Sequence, residues 1–313
     1  MQVYLTGIKA TGNPHLGNYL GAIKPAIDDA NGADIKSFYF IADYHSLTTV
    51  HDRAKLREKT REVACVWLAC GLDPRKTVFY RQSDIPEIFE ISTILGNYTA
   101  KGLMDRAHAF KAAKDAGHDV NIGLFTYPIL MSADILTFNA NFVPVGSDQQ
   151  QHVEIATDIA GAFNAIHGKT FVVPKASIKK DVAVIAGLDG RKMSKSYNNE
   201  IPLFCPEADL LKYIKKIPTD STPADAPKDR THLIFQLYRH FTGAELDNKI
   251  GWGDAKMRLF DAVNAVISPM REKYNQLTQN YAEVEKILRE GAERARVVSR
   301  ETISRVRAAI GVS

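Results

Sequence analysis

Over the first two-thirds of the chain, short runs of β-branched and aromatic residues alternate with longer stretches whose apolar positions recur at helical spacing. Residues 2–8, 36–41, 78–81, 142–145 and 171–174 are the expected strands, and 52–71, 86–99 and 148–168 the clearest amphipathic helices between them. This alternation predicts an α/β fold, a parallel sheet with helices on both faces. Such sheets place ligands at the carboxyl ends of their strands. Past Leu203 the β-branched runs stop and helical periodicity takes over, so a boundary is expected there. Residues 218–229 form a polar, proline-rich stretch that should be an exposed loop between helices. Residues 293–310 carry Val297, Val298, Ile303 and Val306 with arginines between them, a helix able to pack back on the first domain.

Composition narrows the class. With 45% hydrophobic and 24% charged residues in 313, the chain has the balance of a soluble globular protein with one large domain and a smaller companion. No apolar run approaches the roughly 20 residues of a membrane span, and the first residues lack the pattern of a signal peptide. Cys65, Cys70 and Cys205 form no CxxC pair and read as reduced thiols of a cytoplasmic protein. A net charge of +4 permits a polyanionic partner without requiring one.

Two segments carry candidate phosphate chemistry. From Thr6 to Asn18 a strand leads through a glycine-bearing loop into a helix starting near Leu16. Free N–H groups at a helix start suit phosphates, and Gly7, Gly12 and Gly17 allow close backbone approach. The same turn also occurs purely for packing. Residues 189–196, DGRKMSKS, gather cations and hydroxyls on an expected loop before the boundary. Such a loop can follow charge building on a triphosphate, or can simply be a solvated basic loop.

Together these segments carry a resemblance. His15-Leu16-Gly17-Asn18 resembles the first signature of class I aminoacyl-tRNA synthetases, with asparagine for the final histidine, and Lys192-Met193-Ser194-Lys195-Ser196 matches their second. Three further segments are similar to the tryptophanyl members of that family: residues 41–48 (IADYHSLT), 126–136 (TYPILMSADIL) and 142–154 (FVPVGSDQQQHVE). The resemblance extends to Gly251-Trp252-Gly253 and implies a Rossmann-like catalytic domain over 1–203 that also forms a dimer interface. It further implies a helical anticodon-binding domain over 204–292, with 293–313 as the C-terminal helix.

Residue by residue, the resemblance implies that Asp134 accepts the indole N–H of tryptophan. Met131, Val143 and Val145 would form apolar walls, Tyr127 and Gln149 would hold the amino-acid end, and His45 and Leu5 would line the pocket. A lone carboxylate in an apolar helix needs a donor or a cavity in any case, and bridging neighbouring helices is its other reading. ATP would lie along Lys9, Ala10, Thr11, His15, Gly17 and Asn18, with its ribose near Gly146, Ser147 and Asp148 and its adenine on the backbone of Val184 and Ile185. Asp148 can cap the following helix at the same time. Lys192, Met193, Ser194, Lys195 and Ser196 would meet the phosphates. Lys192, Lys195, Ser196 and Lys111 are the expected catalytic groups, Lys111 being equally readable as a solvated helix lysine. Lys9, Ala10 and Leu5 depart from residues common in bacterial relatives, where glutamine, proline and an aromatic stand.

The implied reaction is tryptophan activation by ATP, with Mg²⁺ only as companion of the nucleotide, followed by transfer to tRNA by a homodimer. No metal-ligand cluster is expected around His45 or His152. Lys212, Lys215 and Lys216, with Arg294, Arg296, Arg300, Arg305 and Arg307, are candidate phosphate-gripping cations. The competing readings are a tyrosyl enzyme of the same family, a small-molecule nucleotidylyltransferase, and a non-catalytic descendant that binds RNA or senses tryptophan.

Overall fold

The computed structural model describes every residue except 11–13, 33–34, 108–109, 112–120, 147–148, 179–184 and 313. Five parallel strands, β1 (Gln2–Lys9), β2 (Ile35–Ala42), β3 (Thr77–Arg81), β4 (Phe142–Pro144) and β5 (Lys175–Ser177), form one sheet in the order β3-β2-β1-β4-β5. β1 and β2 run level from Gln2↔Ile35 to Lys9↔Ala42, while β1 meets β4 at Tyr4↔Phe142. Strand order therefore reverses between β1 and β4. A crevice opens where such a reversal occurs, beyond the carboxyl ends of the two strands.

The near-continuous apolar run of β2 follows from burial on both faces. Tyr39 and Ile41 enter one core with Leu16, Trp67 and Phe79, whereas Phe38 and Phe40 enter the other with Ile88, Ile135 and Phe138. Side chains two apart share a face, so a single strand feeds both cores. The helices that cover the sheet are α1 (residues 16–30), α2 (Asp43–Ser46), α3 (Arg53–Ala69), α4 (Glu87–Gly96), α5 (Lys101–Asp105), α6 (Ile122–Thr137) and α7 (Gln150–His167). Asp52 caps α3 by accepting from Lys55 N–H at 2.8 Å, and Asn121 caps α6 at Leu124 N–H, also 2.8 Å. α1 contains a π-turn over Tyr19–Ile23, a feature common near functional sites.

The fifth strand is displaced from its expected position. Residues 171–174 are irregular, and pairing begins only at Lys175. Phe171 is drawn into the core, with its N–H on Asn164 Oδ1 and its carbonyl receiving Asn164 Nδ2. Pro174, which has no N–H to give a ladder, accepts from Thr157 Oγ1 through its carbonyl.

Beyond Leu203 follow α8 (Glu207–Lys215), α9 (Leu233–Thr242), α10 (Trp252–Gln279) and α11 (Tyr281–Ile310). Leu259, Val263 and Ile267 of α10 share the core that contains Tyr39 and Phe79, so the apolar interior is continuous from the sheet into these helices. α11 returns across the outer strand β3. Its Gly291 lies so close that a Cβ there would sit 1.8 Å from the Phe79 carbonyl oxygen. Arg81–Glu285 at 2.7 Å and Arg307–Glu90 at 2.6 Å pin it to β3 and α4. Residue 293 lies inside this continuous helix, which starts at Tyr281. The 218–229 loop is largely exposed, but Lys228 is buried, its ammonium donating to the carbonyls of Pro223, Ala224 and Ala226.

Candidate active site

At the carboxyl ends of β1, β2 and β4 lies a cavity of about 390 Å³, within the roughly 300–1,000 Å³ of small-molecule sites. Leu5, His45, Tyr127, Met131, Asp134, Val143, Val145 and Gln149 all line it. The eight residues expected around the amino-acid substrate are thus brought to one hollow from β1, α2, α6, β4 and the β4–α7 connection. Lys9 and His152 line it too.

Asp134 faces this cavity from the buried side of α6, its side chain 1% exposed. His45 Nε2–H donates to its Oδ2 at 2.7 Å. Gln82 Nε2 donates to Oδ1 at 2.9 Å and to Oδ2 at 3.0 Å. Burial pushes the carboxyl pKa up, and the His45 and Gln82 donors push it back down. Both donors stand on segments tied together by Asp43. That carboxylate accepts from Ser83 N–H at 3.1 Å and from Ser83 Oγ, and burial raises its own pKa.

A second relay lines the same cavity. Gln149 Oε1 can only accept, so His152 Nδ1–H donates to it at 2.8 Å, and His152 Nε2 then accepts from the Tyr127 hydroxyl. Burial raises the Tyr127 pKa to about 12, which keeps the phenol protonated as this bond requires.

The two signature segments meet each other. His15 caps α1, its Nδ1 accepting from Asn18 N–H while Asn18 Oδ1 accepts from His15 N–H, both 3.1 Å. The Asn18 side chain is thereby engaged in the cap. Leu16 N–H donates to the Ile201 carbonyl and Leu203 N–H to that of Pro14, both 2.9 Å. Met193 is buried with its sulfur on Gly17 N–H, while Lys192, Lys195 and Ser196 are exposed. Burial, followed by the nearby ammonium charges of Lys195 and Lys192, lowers the His15 pKa to about 4. Ser194 Oγ accepts from Ser196 N–H at 3.3 Å, turning the chain so that Lys195 starts a short 3₁₀ helix.

Ala10 is fully buried with its N–H on Ser46 Oγ at 3.2 Å. Among the described residues Lys9 reaches Thr48 Oγ1 alone, at 3.4 Å, and the surrounding walls lower its pKa by desolvation. Gly146 is exposed just beyond β4. Ile185 is buried, and its carbonyl is taken by Met193 N–H at 2.8 Å. Lys111 is exposed and is not one of the residues that line the cavity. Thr11, Ser147, Asp148 and Val184 lie outside the described residues. No group of three or more candidate metal ligands occurs among the described residues.

Three functional contributors were not singled out from the sequence. Gln82 follows β3 and holds Asp134; its one signal is an amide directly after a buried strand. Ser46 supports Ala10. Asn199 is buried behind the second signature, its Oδ1 accepting from Ser194 N–H at 2.8 Å and its Nδ2 donating to the Lys192 carbonyl at 3.2 Å.

Residues 1–298 match the family model for class I tRNA synthetases of the W and Y group. The chain is 47% identical to the tryptophan–tRNA ligase of Neisseria meningitidis, over 98% of this chain and 97% of that one. It is 48% identical to the tryptophan–tRNA ligase of Xylella fastidiosa, over 98% of this chain and 75% of that one. Among solved structures it is similar to the Campylobacter jejuni tryptophanyl-tRNA synthetase complexed with ADP and tryptophan. There the TM-score is 0.91 and the identity 41%, over 99% of this chain and 100% of that chain. With the family model covering nearly the whole chain and these identities behind it, this chain belongs to the class I aminoacyl-tRNA synthetases, among their tryptophanyl members.

Proposed function

We propose that the chain activates L-tryptophan with ATP to tryptophanyl-adenylate and pyrophosphate, then transfers tryptophan to the 3′-terminal adenosine of its tRNA. The observation that carries this reading is Asp134, a buried acceptor-only group facing a cavity that is otherwise mostly apolar. Indole N–H is a donor only, so the two groups match. A site built around such a bond rejects an analogue lacking the donor by ~10⁴–10⁵. Phenylalanine is excluded on that ground, and tyrosine by the shape of Leu5, Met131, Val143 and Val145.

In the first step the tryptophan carboxylate attacks the α-phosphorus of ATP in line, a new C–O–P linkage forms, and the bond to the bridging oxygen breaks to release pyrophosphate. A carboxylate is nucleophilic as it stands, so no side-chain base is needed. The protein positions the reactants and stabilises charge on the phosphates. Lys192 and Lys195, on the loop held against α1, would supply that charge, with Ser196 and Lys111 as further phosphate contacts. Lys9, Ala10, Thr11, His15, Gly17 and Asn18 would flank the nucleotide, with Gly146, Ser147 and Asp148 at its ribose. Val184 and Ile185 would offer backbone contacts to the adenine, and Met193 and Ser194 would meet the phosphates. Mg²⁺ accompanies ATP, held mostly by phosphate oxygens and water.

In this reading residues 1–203 are the catalytic domain, 204–292 bind the anticodon arm, and 293–313 anchor the helical part to the sheet. The protein works as a cytoplasmic homodimer. Among the described residues no helix is long and apolar enough to cross a membrane.

The test is exchange of labelled pyrophosphate into ATP with each amino acid, followed by charging of tRNA. Tryptophan-dependent exchange and charging are expected. Exchange with tyrosine but not tryptophan, or adenylate that never discharges onto tRNA, would overturn this assignment.

A further inference from the structure

Gln82 is fully buried at the end of β3 and is absent from the cavity wall, yet its amide nitrogen bonds both oxygens of Asp134. Its own oxygen, Oε1, is buried and finds no partner among the described residues. An amide that leaves its oxygen unpaired to keep its nitrogen on a carboxylate is oriented by that carboxylate's charge, because hydrogen bonds to ions are the stronger ones. Turning the amide over would set oxygen against oxygen. Gln82 is itself held from both sides. Arg81 before it makes a two-pronged ion pair with Glu285 of α11, at 2.9 and 2.7 Å, and Ser83 after it is tied to Asp43.

The lone pairs of Asp134 can be counted. Of about four acceptor positions on a carboxylate, Oδ2 receives His45 and Gln82, while among the described residues Oδ1 receives Gln82 alone. Oδ1 retains a free lone pair, and the residue faces the cavity.

We propose that Gln82 is the positioning residue for the indole-reading carboxylate, holding Asp134 so that one lone pair of Oδ1 is presented to the substrate N–H. The role rests on the tryptophan reading above and deepens it: Gln82 touches no substrate and sets specificity through Asp134. It also keeps the acid charged against burial. The titratable groups around Asp134 are His45 on α2, Tyr80 on β3, Tyr127 on α6 itself, His152 on α7, and Lys9 of β1, which lines the same cavity. Tyr80 is fully buried with a hydroxyl that has no hydrogen-bond partner among the described residues, and it stays neutral. The residues α4 buries nearby, Ile88, Ile91 and Leu95, are apolar. Without the Gln82 donor only His45 opposes protonation of Asp134.

The experiment measures pyrophosphate exchange by the full chain with tryptophan and with β-(benzothiophen-3-yl)alanine, which has the same shape and no N–H. In Q82M the preference for tryptophan over this analogue should fall about 10- to 100-fold, the loss of a hydrogen bond to a charged group. The change should lie in KM for tryptophan, with KM for ATP and the analogue's rate unchanged. Tryptophan activation by Q82M should also begin to decline at a higher pH than that of the wild type as pH falls, because Asp134 loses a donor that favours its charged form. Q82E keeps the shape, and its carboxyl pair shares a proton that donates to Asp134, so its activity should decline in the opposite direction, as pH rises. Equal losses for both substrates, an unaltered preference in Q82M, or the same pH response in both variants would overturn the role of Gln82. Wild-type exchange with tryptophan is the control that separates the two readings, because its absence overturns the proposed function itself.

Discussion

Gly17 N–H points at the sulfur of Met193, 3.3 Å away across 176 positions of sequence. This contact, with the backbone bonds Leu16–Ile201 and Leu203–Pro14, holds the first helix turn against the second signature loop. Room is short there: a Cβ on Gly17 would lie 3.0 Å from the His15 ring and 3.3 Å from Met193 Cβ. Gly17→Ala should therefore displace the lysine loop from the nucleotide. A shift approaching an ångström at a reacting site costs on the order of 100-fold. Exchange kinetics should show that loss against ATP while tryptophan binding persists; wild-type ATP kinetics would refute the contact's role.

Lys195 is exposed, so its removal tests chemistry without disturbing the core. Lys195→Ala is expected to lower kcat for adenylate formation by about 10²–10³, the usual cost of losing one charge-stabilising group. Equilibrium binding of tryptophan, followed by fluorescence, should not change. Unaltered turnover would remove the loop from the mechanism.

The depressed pKa of His15 makes a prediction about stability. Folded, the ring takes a proton only near pH 4, whereas unfolded it does so near its ordinary 6.5. Between these values the unfolded chain binds more protons, so the His15 contribution rises with pH across that window and is complete above 6.5. Urea midpoints of the wild type should fall from pH 6.5 towards 4 more steeply than those of His15→Gln. Parallel curves would contradict the burial argument. No limb from His15 should appear in the activity profile at neutral pH.

Lys9 faces the cavity with no anionic partner among the described residues and a pKa lowered by its surroundings. An incoming carboxylate or phosphate supplies the missing charge. Lys9→Met is expected to slow activation about 10- to 100-fold, as for a lost hydrogen bond to an ion, without lowering the melting temperature. A destabilised protein with normal kinetics would show that Lys9 serves the fold.

Far from the chemistry, Gly291 sets how closely α11 lies on β3. Its missing Cβ would fall 1.8 Å from the Phe79 carbonyl oxygen and 2.7 Å from its carbon, neither of which can rotate away. Gly291→Ala should cost about 3 kcal/mol, the upper range for an overpacked interior. Chemical denaturation measures this directly, and a loss no larger than that of an exposed alanine substitution would disprove the close packing.

Much of the site was legible because it is carried by short contiguous segments. His15 to Asn18 and Lys192 to Ser196 each announce a loop suited to phosphate, and Asp134 stands out as one acid in an apolar helix. The partners of these groups were not legible. Gln82 reads as an ordinary polar residue after a strand, and Asn199 as one of two asparagines in a loop. Each acquires its role from a group 52 or 5 positions away, once its donor atoms lie within bonding distance. Residues 171–174 misled for a similar reason: their β-branched character is real, but Asn164 and the absent N–H of Pro174 keep them out of the ladder.

The alternation of strand and helix, the change to helices after Leu203 and the set of available chemical groups can all be read along the chain, because local periodicity and side-chain chemistry are written residue by residue. The folded arrangement was needed to show that strand order reverses between β1 and β4, so that Leu5, Asp134 and Val145 surround one hollow. It alone decided that Met193 lies under Gly17 and that α11 closes over β3. Those outcomes depend on register and on burial shared between distant segments, and no single segment specifies its partner.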